Sequence, residues 1–272
     1  MKLLFLGVRG STPAPGPKFT RYGGHTSCVA VVPEGGDDPT LVLDAGTGIR
    51  MLAEQLTTPA FTGTIMLSHL HWDHVQGLPF FTKGDHPDSS VDLYLPAQDG
   101  LGARDLLAGL LAPPFFPILP EGLQGHWRFH ALETGTIETA GFTVTAFEVE
   151  HKGGTTYGFR IEDEAGSMAY VPDHVAVSRS AQTAARLRGV DVLVHDAQFE
   201  QVEREVAGRF GHSTILDSIE LGAEVGAGHV VLFHHSPTRT DSQLAAIEHT
   251  VRGPMRVTVA REGATLRVHS RR

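Results

Sequence analysis

Cysteine is almost missing from this chain. Cys28 is the only one among 272 residues, so there is no intrachain disulfide and no thiolate metal cluster. No run of roughly 18 apolar residues occurs, so nothing in the sequence reads as a membrane span. The opening "MKLLFLGVRGSTPAPG" carries an apolar part of only about five residues, below the roughly 7–15 of a secretory signal core, and no small-residue cleavage site follows. It reads as a first β-strand entering a loop, and a cytoplasmic location is expected.

Basic charge is also scarce. Lys and Arg number 22 against 31 Asp and Glu, for a net charge of −9. Between His74 and His151 stand only Lys83, Arg104 and Arg128. This disfavours a broad nucleic-acid surface. A small phosphate ester is still compatible, because bound divalent ions would invert the local field. No low-complexity tract, charge block or linker interrupts the chain, and residues 1–272 are expected to form one domain.

Histidine is abundant, with 16 residues. His86, His249 and His269 read as ordinary surface residues. Short apolar segments bounded by turn residues alternate with helical patterns. Strands are predicted at "KLLFLG", "SCVAVV", "TLVLDAG", "GTIMLS", "VDLYLP", "WRFHAL", "FTVTAFEVE", "TYGFRIE", "SMAYVPD", "VDVLVHD" and "HVVLFHH". Helices are predicted at "GIRMLAEQL", "ARDLLAGLL", "AQTAARLR", "TILDSIELGAEV" and "SQLAAIEHTV". Thr214 with Asp217, and Thr240 with Gln243, match capping boxes that start helices just after histidine-bearing loops. Strand after strand ends on a residue with chemistry: Asp44, His69, His71, His151, Asp173, Asp196 and His234. Open α/β folds build their sites at strand ends, so a shared site is expected.

The densest part of that site is "SHLHWDHVQG", residues 68 to 77. The apolar "TIML" before it reads as a buried strand. Residues two apart on an extended chain point the same way, so His69 and His71 can converge on one ion. Asp73 and His74 follow as the chain turns and can reach a second ion. Imidazole and carboxylate are the usual ligands of zinc and related ions.

The "HLHWDH" core, followed by a distal histidine, an aspartate and a last histidine, resembles the metallo-β-lactamase superfamily. More narrowly, "VHDAQF", "GHST" and "LFHHS" resemble motifs of the tRNase Z-like phosphodiesterases. "GVRGSTPAPG", "RYGGHTSC" and "LDAGTGIR" resemble a bacterial branch related to cyclic-nucleotide phosphodiesterases. The resemblance runs from Gly7 to Asp241. It implies an αββα sandwich with a two-metal site at one edge. His69, His71 and His151 would bind one divalent ion, and Asp73, His74 and His234 the other. Asp173 would bridge both, with room for a water or hydroxide between the ions. Zinc fits this ligand set best, and manganese or iron would accept it.

Within "HH", His234 aligns with the family histidine and follows the strand directly. His235 is the alternative, because a one-residue slip reverses side-chain direction. Asp196 and His212 are the expected proton-donating pair, an imidazole oriented by a carboxylate. The family pattern has a glutamate where Asp196 stands. Asp73 joins His212 and Asp196 as a candidate catalytic residue. His174 replaces the threonine usual in tRNase Z, and three readings stay open for it: support of the site, substrate contact or plain surface. His195 is expected to face away from the site in a structural role. Asp44 is read either as orienting a metal-binding histidine or as a turn former. Gly46 and Gly48 would permit a tight strand-to-helix turn. The loop of residues 9–27 either walls the site, with Ser11, Thr26, Ser27 or His25 on a phosphate, or forms a surface Ω-loop. Phe115 and Phe116 offer an apolar wall for a leaving group, or pack a helix end.

The function these features point to is metal-dependent hydrolysis of a small cyclic or nucleotide-type phosphodiester, by attack of a metal-bridging hydroxide. The alternative is tRNA 3′ processing, with a homodimer as the resemblance suggests. Lactonase-type ester hydrolysis and a non-catalytic nucleotide-binding module are further alternatives. A β-lactamase would want a cysteine ligand where Cys28 is misplaced.

Overall fold

The computed structural model describes residues 1–98 and 100–271. The first half of the chain supplies β1 (Lys2–Gly7), β2 (Cys28–Val32), β3 (Leu41–Leu43), β4 (Thr62–Met66), β5 (Ser90–Pro96) and β6 (His126–Leu132). The second supplies β7 (Gly135–Thr139), β8 (Phe142–Glu148), β9 (Tyr157–Asp163), β10 (Gly166–Val171), β11 (Val192–Asp196), β12 (His229–Phe233), β13 (Arg256–Val259) and β14 (Thr265–Arg267). They form two seven-stranded sheets, in the orders β14-β1-β2-β3-β4-β5-β6 and β13-β12-β11-β10-β9-β8-β7.

Strand periodicity explains the layering. In β1, Leu3 and Phe5 enter the core between the sheets, while Leu4 and Leu6 pack on the opposite face under the helices. The between-sheet core also takes Val29 and Val31 from β2, Phe159 and Ile161 from β9, and Val231 and Phe233 from β12. The alternate residues Ala169, Leu193, Val230 and Leu232 build the outer core of the second sheet. Strands buried on both faces read as continuous apolar runs, which is why they were legible. Helices α1 (Leu52–Gln55), α2 (Trp72–Val75), α3 (Ala103–Ala108), α4 (Ala181–Leu187), α5 (Arg204–Phe210), α6 (Ile215–Val225) and α7 (Asp241–Thr250) complete the chain. The predicted αββα sandwich is the observed fold. Both predicted capping boxes form, at Thr214 and Thr240. Among the described residues, no helix is long and apolar enough to cross a membrane.

The sequence reading passed over β7, β13, β14, α2 and α5. The three strands lie at sheet edges and alternate buried with exposed residues weakly. Pairing with a neighbour defines them more than hydrophobicity does. Helix α2 is a single turn inside the histidine cluster. Helix α5 contains Gly208 and exposes Val206 and Phe210, so it has no clean apolar stripe.

Candidate metal centre

The residues picked from the sequence converge between the ends of β4, β8, β10, β11 and β12. His69 and His71 follow β4, and His71 caps α2, which carries Asp73 and His74. His151 follows β8, Asp173 follows β10, and His234 directly follows β12. Two groups result. In the first, His69 Nε2 lies 2.9 Å from His71 Nδ1, and His151 Nε2 lies 3.3 Å from the same atom. In the second, His234 Nε2 lies 3.3 Å from His74 Nε2 and 3.1 Å from Asp73 Oδ2. Asp173 spans both. Its Oδ2 is 3.6 Å from His69 Nε2 and 3.4 Å from His151 Nε2, while its Oδ1 is 3.2 Å from His74 Nε2 and 3.1 Å from His234 Nε2.

The outer nitrogens explain the chemistry of the inner ones. Asp44 Oδ2 accepts from His74 Nδ1 at 2.7 Å, and the Gly211 carbonyl accepts from His151 Nδ1 at 2.6 Å. Ser68 Oγ donates its proton to Asp44 Oδ2, so it accepts from His69 Nδ1 at 3.0 Å. A neutral imidazole with one protonated nitrogen presents a lone pair at the other. Burial pushes His69, His71 and His151 below the ordinary imidazole pKa, favouring that neutral form. Unprotonated nitrogens and carboxylate oxygens thus face one another at close range, and the buried Asp173 Oδ1 has no hydrogen-bond donor. Burial opposes charge on His74, yet Asp173, Asp73 and Asp44 together push its pKa well above the ordinary value. The cluster draws positive charge, and its donor set suits divalent ions of the zinc type.

Backbone strain concentrates at this cluster. Ser11, Asp44 and His234 are non-glycine residues with φ of 63°, 61° and 56°, a conformation that persists only where surroundings over-determine it. The left-handed turn at His234 separates the two candidates in "HH". His234 enters the cluster, while the buried His235 places its Nε2 3.0 Å from the Ala260 carbonyl. Asp44 serves both of its readings, as a turn residue and as the acceptor for His74. It also takes the Ser68 amide and the Tyr170 hydroxyl, which saturates it.

Asp196 and His212 form the adjoining pair. His212 Nδ1 donates to Asp196 Oδ2 at 2.8 Å. The peptide N–H groups of His174, Gln198 and Ser213 donate to the same carboxylate at 3.1, 3.0 and 3.3 Å. These donors hold the aspartate where its short side chain reaches the imidazole. Burial lowers the pKa of His212, but Asp196, with Asp173 and Asp73 behind it, more than offsets this and the result is about 9.

A cavity of about 730 Å³ opens over both features. It is lined by His71, Asp73, His151, Asp173, His212 and His234, together with Ser11, Trp72, Lys152, Gln198, Phe199 and Phe210. The last five of these were not assigned to the site from the sequence. Trp72 carried a usable signal in its place inside the histidine motif, as did Gln198 and Phe199 inside "VHDAQF". Of the hydroxyls in the 9–27 loop, Ser11 alone reaches the cavity. Its N–H donates to Asp73 Oδ2 at 2.6 Å. Thr26 and Ser27 are buried, and His25 stands beside Thr47 and Glu262. The loop is pinned rather than free. Buried Arg9 donates to the carbonyls of Gly23, Ser236 and Arg239 at 2.7, 3.1 and 2.7 Å. His174 is fully buried with its Nδ1 3.0 Å from His195 Nε2, so neither residue touches the cavity and the surface reading of His174 falls. Phe115 and Phe116 line a second, apolar cleft of about 530 Å³ that shares Trp72 with the first.

Residues 40–235 match the family described as the beta-lactamase superfamily domain. The chain belongs to the metallo-β-lactamase superfamily. Ribonuclease Z of Pseudomonas putida is 27% identical over 285 aligned positions, covering 87% of this chain and 85% of that protein. Among solved structures, a diphosphatase from the PhnP family superposes with a TM-score of 0.73 at 22% identity, over 98% of each chain. Zn2+-bound PqqB from Methylobacterium extorquens superposes with a TM-score of 0.72 at 24% identity, over 98% of this chain and 100% of that one. The superfamily expected from "HLHWDH" is therefore the family found, and the chain is a metal-binding hydrolase of that superfamily.

Proposed function

We propose that this superfamily member is a binuclear metal-dependent phosphodiesterase acting on a small cyclic or nucleotide-type phosphodiester. The observation that carries the reading is His212, held from behind by Asp196, opening into the same cavity as the histidine–aspartate cluster. His69, His71 and His151 with Asp173 Oδ2 would hold one ion. Asp73, His74 and His234 with Asp173 Oδ1 would hold the other, and zinc is the ion these donors suit best. Two such ions supply Lewis acidity toward a phosphoryl oxygen and a water of lowered pKa. The chain's own residues do the rest. His212 donates a proton to the departing oxygen of the ester. Asp196 holds the Nδ1–H tautomer, so Nε2 is the nitrogen that carries the transferable proton. Asp73 is fixed by the Ser11 amide and places its oxygen beside His234.

A small substrate is favoured because the cavity is compact and Lys152 is its one lysine or arginine among the described residues. The second reading is tRNA 3′ processing, favoured by the likeness to ribonuclease Z of Pseudomonas putida. The deciding experiment is hydrolysis of bis(p-nitrophenyl) phosphate by metal-analysed protein, beside a lactone, a β-lactam and a tRNA precursor. Diester turnover that a chelator abolishes and zinc or manganese restores is expected. Turnover of the lactone or lactam alone would overturn the proposal, and preferential cleavage of the tRNA precursor would select the second reading.

A further inference from the structure

Two large aromatic side chains stand exposed at this cavity, where burial would ordinarily be favoured. Trp72 is 75% exposed and Phe210 is 53% exposed, and both line the cavity that contains His71, Asp73 and His212. A single exposed aromatic residue is unremarkable. These two differ in how tightly their backbones are tied to the cluster. Trp72 lies between His71 and Asp73, whose side chains turn inward, so the one-turn helix α2 directs the indole outward. Phe210 precedes Gly211, whose carbonyl accepts from His151 Nδ1 at 2.6 Å. Gly211 has φ of +83°, and a Cβ there would lie 2.8 Å from the Lys152 amide nitrogen and 3.0 Å from His151 Nδ1. The end of α5 is thereby locked against the histidine cluster. Trp72 follows a strand of the first sheet and Phe210 a strand of the second, so the aromatic lining comes from both halves of the chain. Neither ring pairs with another aromatic side chain among the described residues. Both residues are more than half exposed.

We propose that Trp72 and Phe210 form an aromatic recognition site for a planar heterocycle, a nucleobase, on the organic group of the substrate. The identification rests on the phosphodiesterase reading for the ester, but its base-binding part stands on the two rings alone. Base–aromatic stacking tolerates any base, because each has a π-face. Lys152, beside His151 in the same cavity and donating from Nζ to the Arg209 carbonyl at 3.3 Å, would be the cation nearest a bound phosphate.

The test compares a 2′,3′-cyclic nucleoside monophosphate with ethylene phosphate, the same five-membered cyclic diester without sugar or base. In zinc-loaded protein, Trp72→Ala and Phe210→Ala are each expected to lower the ratio of kcat/KM for the nucleotide over ethylene phosphate about tenfold or more. Trp72→Phe should recover part of that ratio. A binding measurement stands beside it. The chain has two tryptophans, so Trp127→Phe leaves Trp72 as the only indole. Titration with a 5′-nucleoside monophosphate should then quench its emission saturably, and adding Phe210→Ala should weaken the fit about tenfold. Unchanged ratios with no quenching would overturn the aromatic site while leaving the phosphodiesterase intact. Saturable quenching by nucleotide in a protein that cleaves neither diester would uphold the site and remove the hydrolytic reading.

Discussion

Asp196 Oδ2 lies 2.8 Å from His212 Nδ1. The carboxylate is shorter than the family's glutamate, and three peptide N–H groups carry it into reach. Orientation of the imidazole is therefore built from backbone, which no substitution of a neighbouring side chain removes directly.

Replacing His212 by Ala is expected to cut kcat on a phosphodiester by ~10²–10⁴-fold with metal content unchanged by elemental analysis. Asp196→Asn should likewise leave metal content unchanged and act more visibly on the pH profile. Against burial, Asp196 leads the carboxylates, with Asp173 and Asp73, that raise His212 to about 9, and a general acid works only while protonated. Losing the carboxylate should bring the alkaline limb of kcat to lower pH. A limb that stays in place would detach Asp196 from the transferred proton.

Asp44 is fully buried and does not line the site cavity, yet it holds His74, Ser68 and Tyr170. Asp44→Asn is expected to weaken metal binding about 10–100-fold, because the amide cannot accept from all three donors. Competition against a calibrated chelator measures this. Retained affinity would show that Asp44 is only a turn residue.

Gly10 lies against the imidazole of His234. A Cβ at position 10 would sit 2.4 Å from His234 Nδ1, closer than real side-chain atoms approach. On the binuclear proposal, Gly10→Ala should displace His234 and lower metal content from two ions toward one, with the His69–His71–His151 group still loaded. Metal stoichiometry by mass spectrometry under native conditions reads the outcome. Two ions in the variant would mean that His234 is not needed for the second.

His229 opens β12 and holds Thr258 at 2.7 Å. Burial, with Arg256 adding repulsion, lowers its pKa from 6.5 to about 4. Between those values the unfolded chain binds the extra proton and the folded chain does not, so stability falls as pH falls through that window. Above it the contribution is fully present. His229→Asn should reduce, by at most one proton's share, the slope of the urea midpoint on pH between about 6.5 and 4. The rest belongs to other buried histidines such as His235, whose pKa burial lowers to about 3. An unchanged slope would assign acid sensitivity elsewhere.

Much of the molecule was legible in one dimension. Strands such as "KLLFLG" and "HVVLFHH" announce themselves because both faces are buried, and Thr214 and Thr240 mark helix starts because a hydroxyl and a side chain three residues on must cap the same turn. The edge strands β7, β13 and β14 were missed for the converse reason, since hydrogen bonding to a neighbour outweighs any hydrophobic signal there.

The sequence by itself determined the superfamily, the layered fold and the crowding of His69, His71, Asp73 and His74, because those residues sit within one strand end and one helical turn. Tertiary structure alone decided the rest. It split the two oxygens of Asp173 between the two histidine groups. It turned His234 inward and His235 away through a left-handed residue. It also selected Ser11 over Thr26, Ser27 and His25 as the loop residue at the cavity. Each of these depends on where a side chain points after distant segments have packed, and spacing along a chain carries no such direction once the segments lie more than a turn apart.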